Sequence, residues 1–237
     1  MEMLILAISF IVLGAICLTL FLLEKCRKYS VKATMIKAMT SLFFIATCSV
    51  GLYKNGTHKL ALFVLLALLL GLLGDIWLDF KYVFKSDERA FTYAGFTMFG
   101  VAHILYITGM FLEYYNNENF LYIVLPIIVG CIFGCANFIL EKPMKLKFGE
   151  YKWIVIVYGC LLFSMASSAF SLLILHNFQN TTLWMMFFGG VLFAVSDLIL
   201  SGTYFGINKE RPVDIITNAV TYYAAQYLIA FSVYFIA

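Results

Sequence analysis

Three aspartates, one lysine and one histidine stand inside stretches that are otherwise without charge: Asp75, Asp79, Asp197, Lys37 and His103. An Asp at the centre of an apolar helix costs about 2.5–3.5 kcal/mol on insertion scales, so such an acid needs a chemical reason. Burial disfavours the charged form of a carboxyl group, and a second carboxylate nearby disfavours it further. Two acids brought together under those conditions divide into one protonated group and one carboxylate. That is the equipment of general acid–base hydrolysis, in which one group gives a proton and the other activates water. Asp75 and Asp197 are the candidates, because they occur in matching motifs, Gly74-Asp75-Ile76-Trp77-Leu78 and Ser196-Asp197-Leu198-Ile199-Leu200. Lys37 would hold a carboxylate charged, and His103, Tyr222 and Gln226 would support either partner.

Each supporting residue also has a structural reading. Asp79 borders a loop and reads as an interfacial, solvated residue; Lys37 could snorkel to the interface. His103 could hydrogen-bond a neighbouring helix, and Tyr222 and Tyr223 could be packing aromatics. Glu113 and Asp214 read as boundary charges. Other chemistries lack their residues. No Gly-x-Ser-x-Gly occurs, and Ser164, Ser167, Ser168 and Ser171 read as small helix-packing residues. His58 and His176 fall in loops far from His103, so a zinc site, which needs three or four close ligands, is not expected. Cys17, Cys26, Cys48, Cys131, Cys135 and Cys160 read as small apolar residues, not as a disulfide framework. No cofactor or metal is expected.

The elements that must position these groups follow from composition. Of 237 residues, 63% are apolar and 12% charged, against roughly 45–50% and about 25% in a soluble domain. A water-soluble fold and a disordered chain are both excluded, and a net charge of +3 gives no reason to expect nucleic acid. A transmembrane helix needs about 20 apolar residues, and eight uncharged stretches meet that need: roughly 3–23, 33–52, 60–79, 90–112, 121–140, 153–175, 183–201 and 213–236. The expected fold is an all-α, eight-span transmembrane bundle forming one domain over 1–237. The first span is expected to be retained, because Glu2 precedes it and Lys25, Arg27 and Lys28 follow it.

Orientation follows from the loops. Lys25, Arg27, Lys28 and Lys32, then Lys81, Lys85 and Arg89, then Lys142, Lys145, Lys147 and Lys152, and finally Lys209 and Arg211 all fall on one side; Lys54 and Lys59 alone fall on the other. The positive-inside rule puts those basic loops in the cytoplasm and both termini outside; were the source bacterial, the membrane would be the plasma membrane. Spans 3 and 7 then run inward, placing Asp75 and Asp197 within about 6 Å of the cytoplasmic ends at ~1.5 Å per residue. The matching Asp motifs, with Ala102-His103 and Ala225-Gln226 downstream of them, point to two parallel four-helix halves.

At these residues the sequence resembles the lysoplasmalogenase family of membrane proteins, the YhhN-like family. The likeness rests on Lys37 in span 2, Leu73-Gly74-Asp75-Ile76-Trp77-Leu78 in span 3, and Gly95-Phe96…Phe99…Ala102-His103…Tyr106 in span 4. It continues with Gly190…Phe193…Ser196-Asp197 in span 7 and Thr221-Tyr222-Tyr223…Gln226 in span 8. Ala38 follows Lys37 where a Pro is common in the family, a departure that touches helix geometry and not the acids. The resemblance implies an ether hydrolase that cleaves the vinyl ether bond of a lysoplasmalogen. Its products would be a fatty aldehyde and glycerophosphoethanolamine or glycerophosphocholine, and its partners the lysophospholipid substrate and membrane lipid. Such a bond hydrolyses by protonation at carbon and attack of water on the oxocarbenium ion, with no serine nucleophile and no metal. Lys81, Lys85 and Arg89 could meet the phosphate, although solvated positive-inside charges are the better explanation of them.

Two rival functions share the paired acids. An intramembrane aspartyl protease would resemble Gly-x-Gly-Asp, but Leu72 and Leu73 separate Gly71 from Gly74-Asp75, and no Pro-Ala-Leu follows. A proton-coupled transporter would place its acids at mid-membrane on helices broken by Pro or paired Gly, and these acids lie off-centre on unbroken spans.

Overall fold

Lipid offers the backbone no hydrogen-bond partners, so each apolar stretch must satisfy its own amides as a helix. The computed structural model, which describes residues 1–27, 30–116, 119–206 and 211–236, shows eight long helices and no strand among those residues. They are α1 (Glu2–Lys25), α2 (Val31–Asn55), α3 (Lys59–Val83), α4 (Glu88–Tyr114), α5 (Leu121–Leu140), α6 (Lys152–Leu175), α7 (Thr181–Phe205) and α8 (Pro212–Ser232). The basic loop residues Lys28 and Lys209 lie outside the described residues.

Local signals set the ends. Ser30 and Asn180 cap α2 and α7 by accepting from the Ala33 and Leu183 amides. Pro212 opens α8 where a missing N–H costs nothing, and Gly56, at φ 82°, turns the chain out of α2. Seven of the eight are long and apolar enough to cross a membrane. The exception is α8, whose Asn218 and Gln226 lower its apolarity.

Sequential helices pack as hairpins: α1 on α2, α3 on α4, α5 on α6 and α7 on α8. The further neighbours α2–α3, α4–α6, α6–α7 and α8–α2 close a ring of six, α2-α3-α4-α6-α7-α8. Helices α1 and α5 stand outside it, against α2 and α6. This arrangement is what a parallel duplication demands. Exchanging α1–α4 with α5–α8 maps α1 onto α5, and it turns the α4–α6 seam into the α8–α2 seam. The register agrees. Asp75 and Asp197 each lie sixteen residues past the first residue of their helices, Lys59 and Thr181; Lys37 and Tyr158 each lie six past Val31 and Lys152.

The acids lie farther from their helix ends than the uncharged stretches suggest. Helices α3 and α7 continue to Val83 and Phe205, so each acid lies eight residues, about 12 Å, from its helix end. The apolar run marks where lipid begins, whereas the helix continues a turn into the interface.

Candidate active site

Helix α3 is the spine of the site. Asp75 and Asp79 are one turn apart and therefore on one face, and both are buried, at 2% and 4% exposure. Helix α2 meets that face with Lys37 and Ser41, also four residues apart. Lys37 Nζ lies 3.1 Å from Asp75 Oδ1 and 3.6 Å from Asp79 Oδ1, and Ser41 Oγ donates to Asp75 Oδ2 at 2.7 Å. From α8, Tyr222 Oη donates to the same Oδ2 at 2.8 Å, and Gln226 Nε2 donates to Tyr222 Oη at 3.0 Å. Tyr106 Oη on α4 donates in turn to Gln226 Oε1 at 3.3 Å. Tyr223 Oη lies 3.2 Å from Ser41 Oγ and from the Lys37 carbonyl. Lys25, in the last turn of α1, completes the cluster with a buried ion pair to Asp79 Oδ1 at 2.7 Å. Two ammonium groups thus face two carboxylates.

The second acid has other company. Asp197 on α7 accepts from Tyr158 Oη on α6, and His103 Nε2 on α4 lies 3.4 Å behind that phenol. His103 is fully buried, and its Nδ1 has no partner among the described residues. Among the described residues no cation pairs with Asp197. The two carboxyl groups do not touch. Between their helices stand Phe99, Phe193 and Tyr222, three rings in mutual edge contact with centroids 5.3–6.0 Å apart. Both acids line one cavity of about 110 Å³, together with Asp79, Lys25, Lys37, Tyr158 and Tyr222.

Asp79 is therefore not a solvated boundary residue: α3 runs on past it, and Lys25 and Lys37 close over it. Lys37 turns inward and does not snorkel, while Tyr222 and Tyr223 use their hydroxyls. His103 does bond a neighbouring helix, through Tyr158. The basic residues of the loop after α3 go elsewhere. Lys81 belongs to α3 and lies buried, 3.2 Å from the Tyr204 ring centroid; Lys85 is exposed; Arg89 pairs with Glu150 at 3.2 Å. None of the three lines the cavity, whereas Lys25 and Lys37 do. Glu113 pairs with His58 Nδ1 at 2.8 Å and accepts from the Leu60 amide, and Asp214 pairs with Arg211.

Sequence reasoning missed Ser41, Tyr158 and the inward roles of Lys25 and Asp79. Two signals could have found them: the four-residue spacings 37/41 and 75/79, and the equal place of Lys37 and Tyr158 in the repeat. Among the described residues no three His, Cys, Asp or Glu side chains converge as metal ligands, and the cysteines are free thiols.

A helical membrane bundle with a polar, carboxylate-bearing cavity sunk among apolar helices defines the class: a multi-pass membrane protein with an intramembrane acidic site. The YhhN family matches residues 28–233, nearly the whole chain, and the chain belongs to that family. Neither the curated proteins nor the solved structures gave a match.

Proposed function

We propose that the protein is an ether hydrolase that cleaves the vinyl ether bond of a lysoplasmalogen, releasing a fatty aldehyde and a glycerophospho-alcohol. The observation that carries this reading is the unlike company of two acids on one cavity. Asp75 faces an ammonium group and two hydroxyl donors, the surroundings that suit a carboxylate base. Asp197 faces a phenol and, among the described residues, no cation; those surroundings suit a proton donor.

The chemistry balances on these two groups. Asp197 gives its proton to the alkene carbon remote from the ether oxygen, and the adjacent carbon becomes an oxocarbenium ion. Water adds to that carbon as Asp75 takes its proton. The hemiacetal collapses, its hydroxyl proton passing to the departing alkoxide, and the proton on Asp75 returns to Asp197. The cation formed in the first step lies beside the carboxylate that Asp197 becomes, and that negative charge stabilises it. The scissile bond lies at the junction of chain and glycerol, and the acids lie toward the end of the bundle that carries the basic loops.

Purified protein in detergent, given a lysoplasmalogen, is expected to release aldehyde. Asp75→Asn and Asp197→Asn should each lower kcat by 100-fold or more, in line with the loss of a general acid or base. Turnover unchanged in both variants would overturn the mechanism. No aldehyde from the unaltered protein, with pH-dependent flux of lipid in liposomes, would favour a transporter.

A further inference from the structure

One polar atom in the cavity cluster has no role in that scheme. Both lysines of the cluster approach Asp79 through Oδ1, and Asp79 Oδ2 is buried without a hydrogen-bond partner among the described residues. An unpaired buried carboxylate oxygen carries an unmet desolvation cost, which a hydrogen-bond donor would relieve. Asp79 lines the same cavity as Asp75, one helical turn or ~6 Å along α3 from it. A ligand held with its reacting bond at Asp75 therefore presents its next functional group to Asp79.

We propose that Asp79 Oδ2 accepts a hydrogen bond from a hydroxyl group of the lipid's glycerol, so that Asp79 selects lipids whose second glycerol carbon is unacylated. This assignment rests on the reading of the site as a lysoplasmalogen hydrolase. In such a lipid the free hydroxyl is borne by the second glycerol carbon counted from the ether oxygen whose bond breaks. The lysines complete the complementarity. Lys25 and Lys37 flank Asp79 on the cavity wall, and their charge suits the phosphate of the same glycerol. A lipid acylated or alkylated at that carbon has no donor to offer and brings bulk against a buried wall. A site built around a hydroxyl rejects the analogue lacking it more strongly than an apolar pocket rejects an added group.

The test uses saturated ether lipids, which bind and cannot be cleaved, so that binding is read apart from catalysis. Affinity of the purified protein in detergent is measured for 1-alkyl-glycerophosphoethanolamine with a free 2-hydroxyl, for its 2-deoxy and 2-O-methyl counterparts, and for the choline analogue of the first. The free-hydroxyl lipid is expected to bind at least tenfold more tightly than the 2-deoxy and 2-O-methyl lipids. Ethanolamine and choline lipids should bind alike. In Lys25→Met with Asp79→Leu, which removes both partners of the buried pair together, the tenfold gap should close. Equal binding of the three 2-position lipids to the unaltered protein overturns the proposal, whether or not the double variant folds. So does a gap that persists in a double variant whose melting curve shows it folded. Discrimination of ethanolamine from choline with none at the 2-position would assign Asp79 to the ammonium group and overturn the hydroxyl reading. Aldehyde release from lysoplasmalogen is scored separately: its absence sinks the hydrolase, and its presence alongside equal binding sinks only the role of Asp79.

Discussion

The polar residues of the cavity are mutually dependent, and substitutions should show it. Lys37 contacts both Asp75 and Asp79 as a cation. Removing one partner of a buried ion pair costs roughly 3–5 kcal/mol, because it strands the other charge. Lys37→Met should therefore lower the melting temperature in detergent clearly. Lys37→Met with Asp75→Asn, which removes both charges, should recover most of that loss and still release no aldehyde. Stability and activity would then separate in one pair of variants. Recovery of activity in the double variant would dissociate Asp75 from catalysis.

Among the elements, α5 shows how a peripheral helix is held. Its inner face is covered, whereas Ile128, Ile132 and Ile139 are exposed. It grips α6 through Gly130 and Gly134, one turn apart. A Cβ on Gly130 would stand 2.4 Å from the Ser164 amide, and one on Gly134 2.3 Å from that of Cys160. Such small-residue contact replaces the hydrophobic effect between helices in lipid. Hydroxyls add to it, since Ser167 Oγ donates to the Pro126 carbonyl at 2.7 Å and Ser171 Oγ to that of Tyr122 at 2.8 Å. Gly134→Leu should thus cost about 1–3 kcal/mol by overpacking, read as a lower melting temperature. Gly202→Ala, in α7 with nothing within 4 Å of the added carbon, should raise stability by about 0.5–1 kcal/mol.

For the molecule as a whole, charge asymmetry gives a topology that can be checked. Tags at both termini should be cleaved by protease added outside intact cells, and a tag in the 142–147 segment should not. The opposite pattern would reverse the orientation. Much of this architecture is legible in the amino-acid sequence. Eight helices coincide with eight uncharged stretches to within a few residues, because an apolar run of that length in lipid has one available backbone conformation. The matching Asp motifs point to both acids and to the equal register of α3 and α7. What stays hidden lies at the helix ends: a charge in the last turn looks the same in sequence whether it faces solvent or a buried partner. Lys25 and Asp79 read as boundary residues for that reason, and only the extension of α3 past Asp79 and the approach of α1 turn them inward. Tyr158 escapes notice because its repeat counterpart, Lys37, is of a different chemical type.

The ring of six helices closes through two seams that exchange with one another, α4 against α6 and α8 against α2. A homodimer of four-helix chains would close the same ring, and its two-fold axis would give both acids identical neighbours. Identical neighbours give neither acid a fixed role. Joining the halves into one polypeptide frees each position to vary alone. Here that freedom has placed lysine beside one carboxyl group and tyrosine beside the other, at the same register. The covalent link between halves is thus what permits two helices of matching register to carry acids with unlike partners.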